Sequence, residues 1–376
     1  MKQTCISNEE KNLILNIKEN ILKRDNESEN KTAASTSEKD YYNQIENMNN
    51  YIKENYPKFS ENFELLNFIN SGSTGTVYEG KIKKGRGRKN LKFAIKFKIE
   101  QNHSKETQEI SILKKLHQKY ITEIYAFIKM NDFSNFCVLE LGKYGDLENF
   151  QKKLLKRKTL SETTINYFTK QILEALKYLH RCKIIHMDIK QGNILVDSNL
   201  NIKLTDFSVS CSYSSFNKND IVRFPFVGTS KYISPEILGR KNIKIKDCEK
   251  IDIYSLGVTL FDLFFGYFPY KLNDIKSKDY DNILKNILNE KLEFPKDKKI
   301  SLLFKEFLSG LLEKDYNKRL TIEQALNHPW IQGSKFIIDE KENSYNSENF
   351  LINLITDNIY KFNQYVNIPN LNPIQD

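Results

Sequence analysis

One stretch constrains this chain more than any other: Ile185-His186-Met187-Asp188-Ile189-Lys190-Gln191-Gly192-Asn193-Ile194-Leu195. It sets an acid, a cation and an amide at fixed offsets between apolar flanks. The Asp188 carboxylate can accept a hydroxyl proton, the Lys190 ammonium can neutralise a travelling phosphoryl group, and the Asn193 oxygen can bind a hard cation. These are the parts of a phosphotransfer kit, so the rest of the chain has to supply the means of holding a nucleotide and a metal.

Upstream, residues 63–69, 76–81 and 91–97 alternate apolar and polar side chains and predict an antiparallel sheet. Asn70-Ser71-Gly72-Ser73-Thr74-Gly75 lies between the first two strands, with Val77 just after it, and Lys96 sits on the third. Small side chains let backbone N–H groups approach phosphate, and Asn is the residue that best replaces Gly at positive φ. Residues 107–117 predict an amphipathic helix carrying Glu109 and Leu113. Residues 136–146 run from a buried strand into a glycine-punctuated connector that includes Leu139, Glu140, Gly142 and Asp146.

Downstream, residues 161–181 predict a helix capped by Ser161. Two short strands, 194–197 and 202–208, each run into an acid, and the second carries Asp206-Phe207-Ser208. Gly228-Thr229-Ser230-Lys231-Tyr232-Ile233-Ser234-Pro235-Glu236 follows, then an apolar run over 251–270 headed by Asp252, then Arg319 and Asn327-His328-Pro329-Trp330.

In that order these motifs resemble the eukaryotic-type protein kinase superfamily, in its serine/threonine form, over residues 59–330. The resemblance implies an α+β, two-lobed protein kinase fold, with a small antiparallel β-rich N-lobe (about 59–141) and a larger α-helical C-lobe (about 142–330). It implies ATP and Mg²⁺ as cofactors and protein serine or threonine hydroxyls as acceptors. Asp188 and Lys190 would be catalytic, and Asn193 and Asp206 the metal ligands. Nucleotide would meet Asn70, Gly72, Gly75, Val77, Ala94, Lys96, Glu109, Leu139, Glu140, Gly142, Asp146 and Leu195, with Glu109 pairing Lys96. Thr229 would bond Asp188 and Lys190, Glu236 would pair with Arg319, and Asp252 would anchor the catalytic loop.

Three positions depart from the family: Asn70 and Ser208 replace glycines, and Met187 replaces the arginine that grips a phosphate on the activation segment. A thioether carries no charge, and residues 216–228 contain no Ser, Thr or Tyr. The expectation is therefore a kinase whose active form does not depend on phosphorylation between Asp206 and Glu236, with Ser212, Tyr213, Ser214 and Ser215 still open as sites. The same departures motivate the alternative of a catalytically weak pseudokinase scaffold. Asp146 and Asp262 give a lean toward basic peptides.

With 39% hydrophobic residues among 376, the chain can bury a large core. A net charge of +10 and a basic run over 81–89 accompany no nucleic-acid recognition module, so nucleic acid is not expected as a partner. Five scattered cysteines without a C-x-x-C pair read as free thiols. The first residues form no apolar signal core, Lys2 stands where myristoylation needs glycine, and the 251–270 run carries acids. An intracellular protein, cytoplasmic or nuclear, without membrane association is expected. Residues 1–58 read as a polar extension with two short helical stripes, at 13–22 and at Ile45, Met48, Ile52 and Tyr56, either of which could dock on the domain or on a partner helix, the favoured reading being a marginal surface helix. Residues 331–376 read as a tail with an amphipathic helix near 350–359.

Overall fold

A computed structural model of the chain describes residues 38–72, 75–83, 92–99, 108–129, 134–154, 159–296 and 298–333. The 13–22 stripe, the basic run from 84 to 89 and the 350–359 helix lie outside the described residues. The chain divides into two compact units: Met1–Lys105 with Tyr125–Leu139, and Glu106–Ile124 with Glu140–Asp376.

In the first unit, helices α1 (Glu38–Asn55) and α2 (Pro57–Asn62) precede strands β1 (Phe63–Gly72), β2 (Gly75–Ile82) and β3 (Lys92–Ile99). After helix α3 (Gln108–Leu113), which belongs to the second unit, β4 (Ile124–Lys129) and β5 (Ser134–Leu139) complete a five-stranded sheet of order β1-β2-β3-β5-β4. Val77 pairs with Lys96 and Lys96 with Cys137, while Ala94 pairs with Leu139. Side chains alternate across a strand, so Val77, Ala94, Lys96 and Leu139 share one face and Tyr78, Ile95, Phe97 and Phe136 share the other.

That second face is where α1 and α2 pack. Ile45, Met48 and Ile52 are only 6%, 4% and 2% exposed, and with Phe59 they form one cluster with Leu65, Tyr78, Ile95, Phe97 and Phe136. The Phe59 ring stacks on Phe136 at 4.3 Å. Pro57, which has no amide hydrogen to give, opens α2 where none is needed. Asn49 makes a two-way bond to Leu65, donating to its carbonyl (2.9 Å) and accepting from its N–H (3.1 Å). β1 is an edge strand whose pairing with β2 shifts register between Leu65 and Asn67, so Asn49 acts there as a one-residue substitute strand. The expected marginal surface helix is thus a buried one: each docked apolar side chain contributes about 1.5–3 kcal/mol, which a lone helix cannot supply.

The second unit is mostly helical. α4 (Glu162–Arg181) is capped by Ser161, whose hydroxyl accepts from Thr164 N–H at 3.2 Å. It leads through β6 (Ile184–Ile185) into the catalytic-loop motif, then to the ribbon β7 (Ile194–Val196) and β8 (Ile202–Leu204) and to β9 (Cys211–Ser212), which pairs with β6. Helix α5 (Lys250–Phe265) is buried on all sides except at Asp262 and ends at Gly266, whose φ of 78° suits glycine. α6 (Tyr280–Asn289) and α7 (Leu302–Leu311) follow, and Trp330 stacks on Phe304 at 4.3 Å. Glu236 and Arg319 form a buried two-pronged pair (2.6 and 2.9 Å), with Arg319 also donating to Lys250 and Glu313 carbonyls. Those extra bonds engage two more of the guanidinium's donors, and loss of one partner would cost about 3–5 kcal/mol.

Ile52→Ala in the full chain should lower unfolding stability by about 2–5 kcal/mol, read by denaturant titration. A change below about 0.5 kcal/mol, the usual scatter of surface substitutions, would show that α1 is not docked.

Candidate active site

The catalytic loop is built outward from Asp252, which is fully buried. Its Oδ2 accepts from His186 N–H and its Oδ1 from Met187 N–H, both at 2.9 Å, and the His180 ring Nε2 lies 3.0 Å from Oδ2. Met187 is held at φ 70°, a conformation a side-chain-bearing residue adopts at a cost, and Asp188 follows it. The Gly228 Cα approaches so closely that an added Cβ would lie 2.5 Å from Met187 O.

Asp188 is 8% exposed and gripped on all sides. Lys190 Nζ is 2.9 Å from Oδ2, Thr229 N–H donates to Oδ1 at 2.8 Å, and Asn193 Nδ2 donates to Oδ2 at 2.8 Å. Lys190 also donates to the Thr229 hydroxyl at 2.7 Å. Burial pushes the Asp188 pKa up, but the Lys190 charge, the bonds from Lys190 and Thr229 and the charge of His186 outweigh it and hold the carboxyl below its ordinary range. Asp188 is therefore an ionised acceptor at neutral pH, suited to orienting a hydroxyl and taking its proton as the oxygen's new bond forms.

Asn193 and Asp206 stand at the same end of the β7–β8 ribbon. Ile194 pairs with Leu204, and Thr205 N–H donates to Asn193 O at 3.0 Å. Both Asn193 side-chain donor bonds go to Asp188, one to its backbone carbonyl (2.9 Å) and one to its carboxylate, which turns the amide oxygen the other way. An amide oxygen and a carboxylate form the hard-oxygen pair that Mg²⁺ takes alongside phosphate and water. Among the described residues there is no group of three or more His, Cys, Asp or Glu able to hold a metal. Asp206 has φ 63°, and the buried Phe207 packs on the His186 ring at 5.0 Å. Ser208 is not among the positive-φ residues, so its side chain adds no backbone strain.

The residues that the resemblance assigns to nucleotide are distributed over the two units. In the first, Lys96 is buried on the sheet face it shares with Val77, Ala94 and Leu139. Gly75 has φ 131°, and a Cβ there would lie 2.5 Å from Phe97 O, so glycine is required; Gly72 has open space around it. Asn70 does not take the positive φ expected of a glycine substitute. It lies within β1 opposite Val77, and its side-chain oxygen accepts from Ser71 N–H.

In the second unit, Glu109 is buried on α3, which is shorter than the 107–117 expected because the chain tightens into turns after Leu113. Glu140 N–H donates to Glu123 O, and its carboxylate meets Lys203 at 2.6 Å. Gly142 sits so near Leu195 that a Cβ would be 2.7 Å from the leucine's own. Asp146 caps the turn at Leu147, with both oxygens accepting from Asn149 (2.8 and 2.7 Å), and burial, ahead of the opposing bonds, raises its pKa. Asp262 is likewise engaged, accepting from Gln191 (2.6 Å) and the Tyr232 hydroxyl (3.4 Å).

The profile of the family described as protein kinase domain matches residues 63–331. The chain is 30% identical to the serine/threonine-protein kinase TIO of Arabidopsis thaliana over 75% of its own length and 20% of that protein. It is 32% identical to testis-specific serine/threonine-protein kinase 2 of Mus musculus, over 61% of each chain. With the Aurora kinase of Dictyostelium discoideum it shares 30% identity over 72% of its length and 66% of that kinase. The chain thus spans less than two thirds of each of these relatives.

Lys190→Ala removes the foremost of the influences that lower the Asp188 pKa, so that pKa should rise from its depressed position. A carboxyl ¹³C titration should show the upward move. No move, or a downward one, would mean Lys190 does not set it. The sign also fixes the stability effect: the depressed wild-type pKa stabilises the fold above pH 3.8, a contribution lost as pH falls through the folded value.

Proposed function

We propose that this chain, which belongs to the protein kinase family, is a serine/threonine protein kinase that transfers the γ-phosphoryl of ATP, with Mg²⁺, to protein hydroxyls. The observation that carries the reading is the grip on Asp188: an ionised carboxylate within 3 Å of Lys190, Asn193 and the Thr229 amide. Asp188 orients the acceptor hydroxyl and takes its proton as the new P–O bond forms. Lys190 neutralises charge on the moving group, and its bond to Thr229 fixes where that charge is met. Asn193 and Asp206 would hold the metal, which when bound supplies charge neutralisation on the phosphates. By the resemblance, Lys96, Val77, Ala94 and Leu139 of the first unit and Glu109 and Leu195 of the second would serve the nucleotide.

The pseudokinase alternative rests on Asn70, Met187 and Ser208, and two of these are benign in structural terms. Asn70 lies within β1 beside a register shift and without positive φ, and Ser208 needs no glycine conformation. Met187 bears on regulation instead. A buried thioether at 4% exposure cannot hold a phosphate, which supports an active form independent of activation-segment phosphorylation. Tyr213 is 2% exposed and is no substrate for another kinase while the segment is in place, leaving the exposed Ser212, Ser214 and Ser215 as acceptors. Among the described residues no helix is long and apolar enough to cross a membrane. The commitments of Asp146 and Asp262 to Asn149, Gln191 and Tyr232 leave less of an acidic surface for basic peptides than their positions suggest.

With Mg-ATP and a generic protein acceptor, the full chain should label serine or threonine, and Asp206→Asn should reduce transfer by about 10³-fold or more, as expected for a group acting on developing charge. Equal rates in the two would sink the reading. Phosphatase treatment should leave wild-type activity within about twofold. A tenfold loss traced to a phosphosite between Asp206 and Glu236 would overturn the independence from phosphorylation.

A further inference from the structure

A segment that positions a protein acceptor must itself be held, and the resemblance assigns that task to an arginine beside the catalytic acid, which here is Met187. Another tie occupies the segment's start. Ile184 and Ile185 pair with Ser212 and Cys211, and Tyr213 N–H donates to Lys183 O at 2.9 Å, so the Tyr213 ring is delivered beneath the catalytic-loop strand. Its hydroxyl lies 2.9 Å from Glu249 Oε1 and 3.0 Å from His180 O, and Lys183 Nζ sits 5.5 Å from the ring centre. Glu249 directly precedes α5, and its other oxygen is 3.8 Å from His180 Nδ1. His180 Nε2 in turn reaches Asp252, which holds the His186 and Met187 amides. The Tyr213 hydroxyl thus reaches this network through the His180 backbone carbonyl, while His180 Nδ1, 3.8 Å from Glu249, makes no hydrogen bond.

We propose that Tyr213 and Glu249 form a phosphate-free clasp that holds the activation segment on the catalytic loop, doing by a part-buried phenol–carboxylate bond what a phosphate–arginine pair does in relatives. Tyr213 is a positioning residue, acting through His180 and Asp252 rather than on the acceptor. The inference rests on the kinase reading and extends it to regulation. The clasp is permanent because its donor is built into the chain: the phenol is almost wholly buried, and burial foremost, then the Glu249 charge, keeps it protonated. Two neighbours reinforce it, since Ser210 donates to His186 O at 3.1 Å and Gln108 donates to Ser210 O at 3.0 Å.

The experiment compares full-length wild type, Tyr213→Phe, Glu249→Gln and the double variant in two assays. The first is tryptic cleavage after Lys218 and Arg223, both exposed on the segment. The second is phosphoryl transfer with separate kcat and ATP KM. Tyr213→Phe should speed cleavage and lower kcat by about 10- to 100-fold, the weight of a hydrogen bond to a charged acceptor, with ATP KM within about twofold. Glu249→Gln should move both in the same direction, and the double variant should be no worse than the worse single, as for partners in one bond. Unchanged cleavage in Tyr213→Phe, an unchanged kcat in an active wild type, or additive losses in the double variant would overturn the clasp. If Tyr213→Phe does not fold, Glu249→Gln carries the same criteria. A wild type that transfers nothing refutes the kinase reading, while cleavage rates still decide the clasp.

Discussion

The Asp252 carboxylate is the constraint on which the second unit's chemistry depends. A carboxylate with no exposure is costly unless its lone pairs are filled, and here two backbone amides and a histidine ring fill them. Those amides belong to the two residues before Asp188. The bonds therefore hold Met187 in its left-handed conformation and aim Asp188 at Lys190, Thr229 and Asn193. Because α5 is buried along nearly its whole length, the anchor cannot drift, and the loop inherits that rigidity. The charge that catalysis needs is thus set in place before any substrate arrives, which is the condition under which electrostatic stabilisation is strongest.

The first unit solves a different problem. Its sheet has one face carrying Val77, Ala94 and Lys96 and an opposite face of Tyr78, Ile95, Phe97 and Phe136 that would be apolar and exposed on its own. Helices α1 and α2 cover that second face, and Asn49 stitches α1 to the edge strand at its irregularity. The strand that carries Lys96 is therefore packed from behind by residues lying outside the 63–331 span of the family match. In this chain the segment before residue 63 is part of the small unit's core.

Much of this was legible in the sequence because it is local. Strand alternation located β1, β2 and β3 to within a few residues, the Ser161 cap and helical spacing located α4, and the fixed offsets from Asp188 to Asn193 named the loop. What the sequence hid depends on partners far along the chain. The burial of Ile45, Met48 and Ile52 could not be decided because a four-residue stripe looks the same on a frayed surface helix as on a docked one. Asn49 meets Leu65 across 16 positions, Tyr213 meets Glu249 across 36, and Gln191 meets Asp262 across 71, none with a periodic signature. The Asn70 expectation went astray because a glycine motif implies positive φ at each glycine, whereas this loop concentrates that need at Gly75. The one available signal for Tyr213 was Met187 itself, since a chain that lacks the usual cation must hold its segment by other means.

The proposed transfer needs the prepared Asp188 carboxylate and a metal held by Asn193 and Asp206, and nucleotide binding tests that pairing most directly. Calorimetric titration of ATP into the full chain should show affinity that strengthens by about tenfold or more when Mg²⁺ replaces EDTA, the scale of one added charge-assisted contact. ATP affinity that is the same with and without Mg²⁺, or no ATP binding in either condition, would contradict the account.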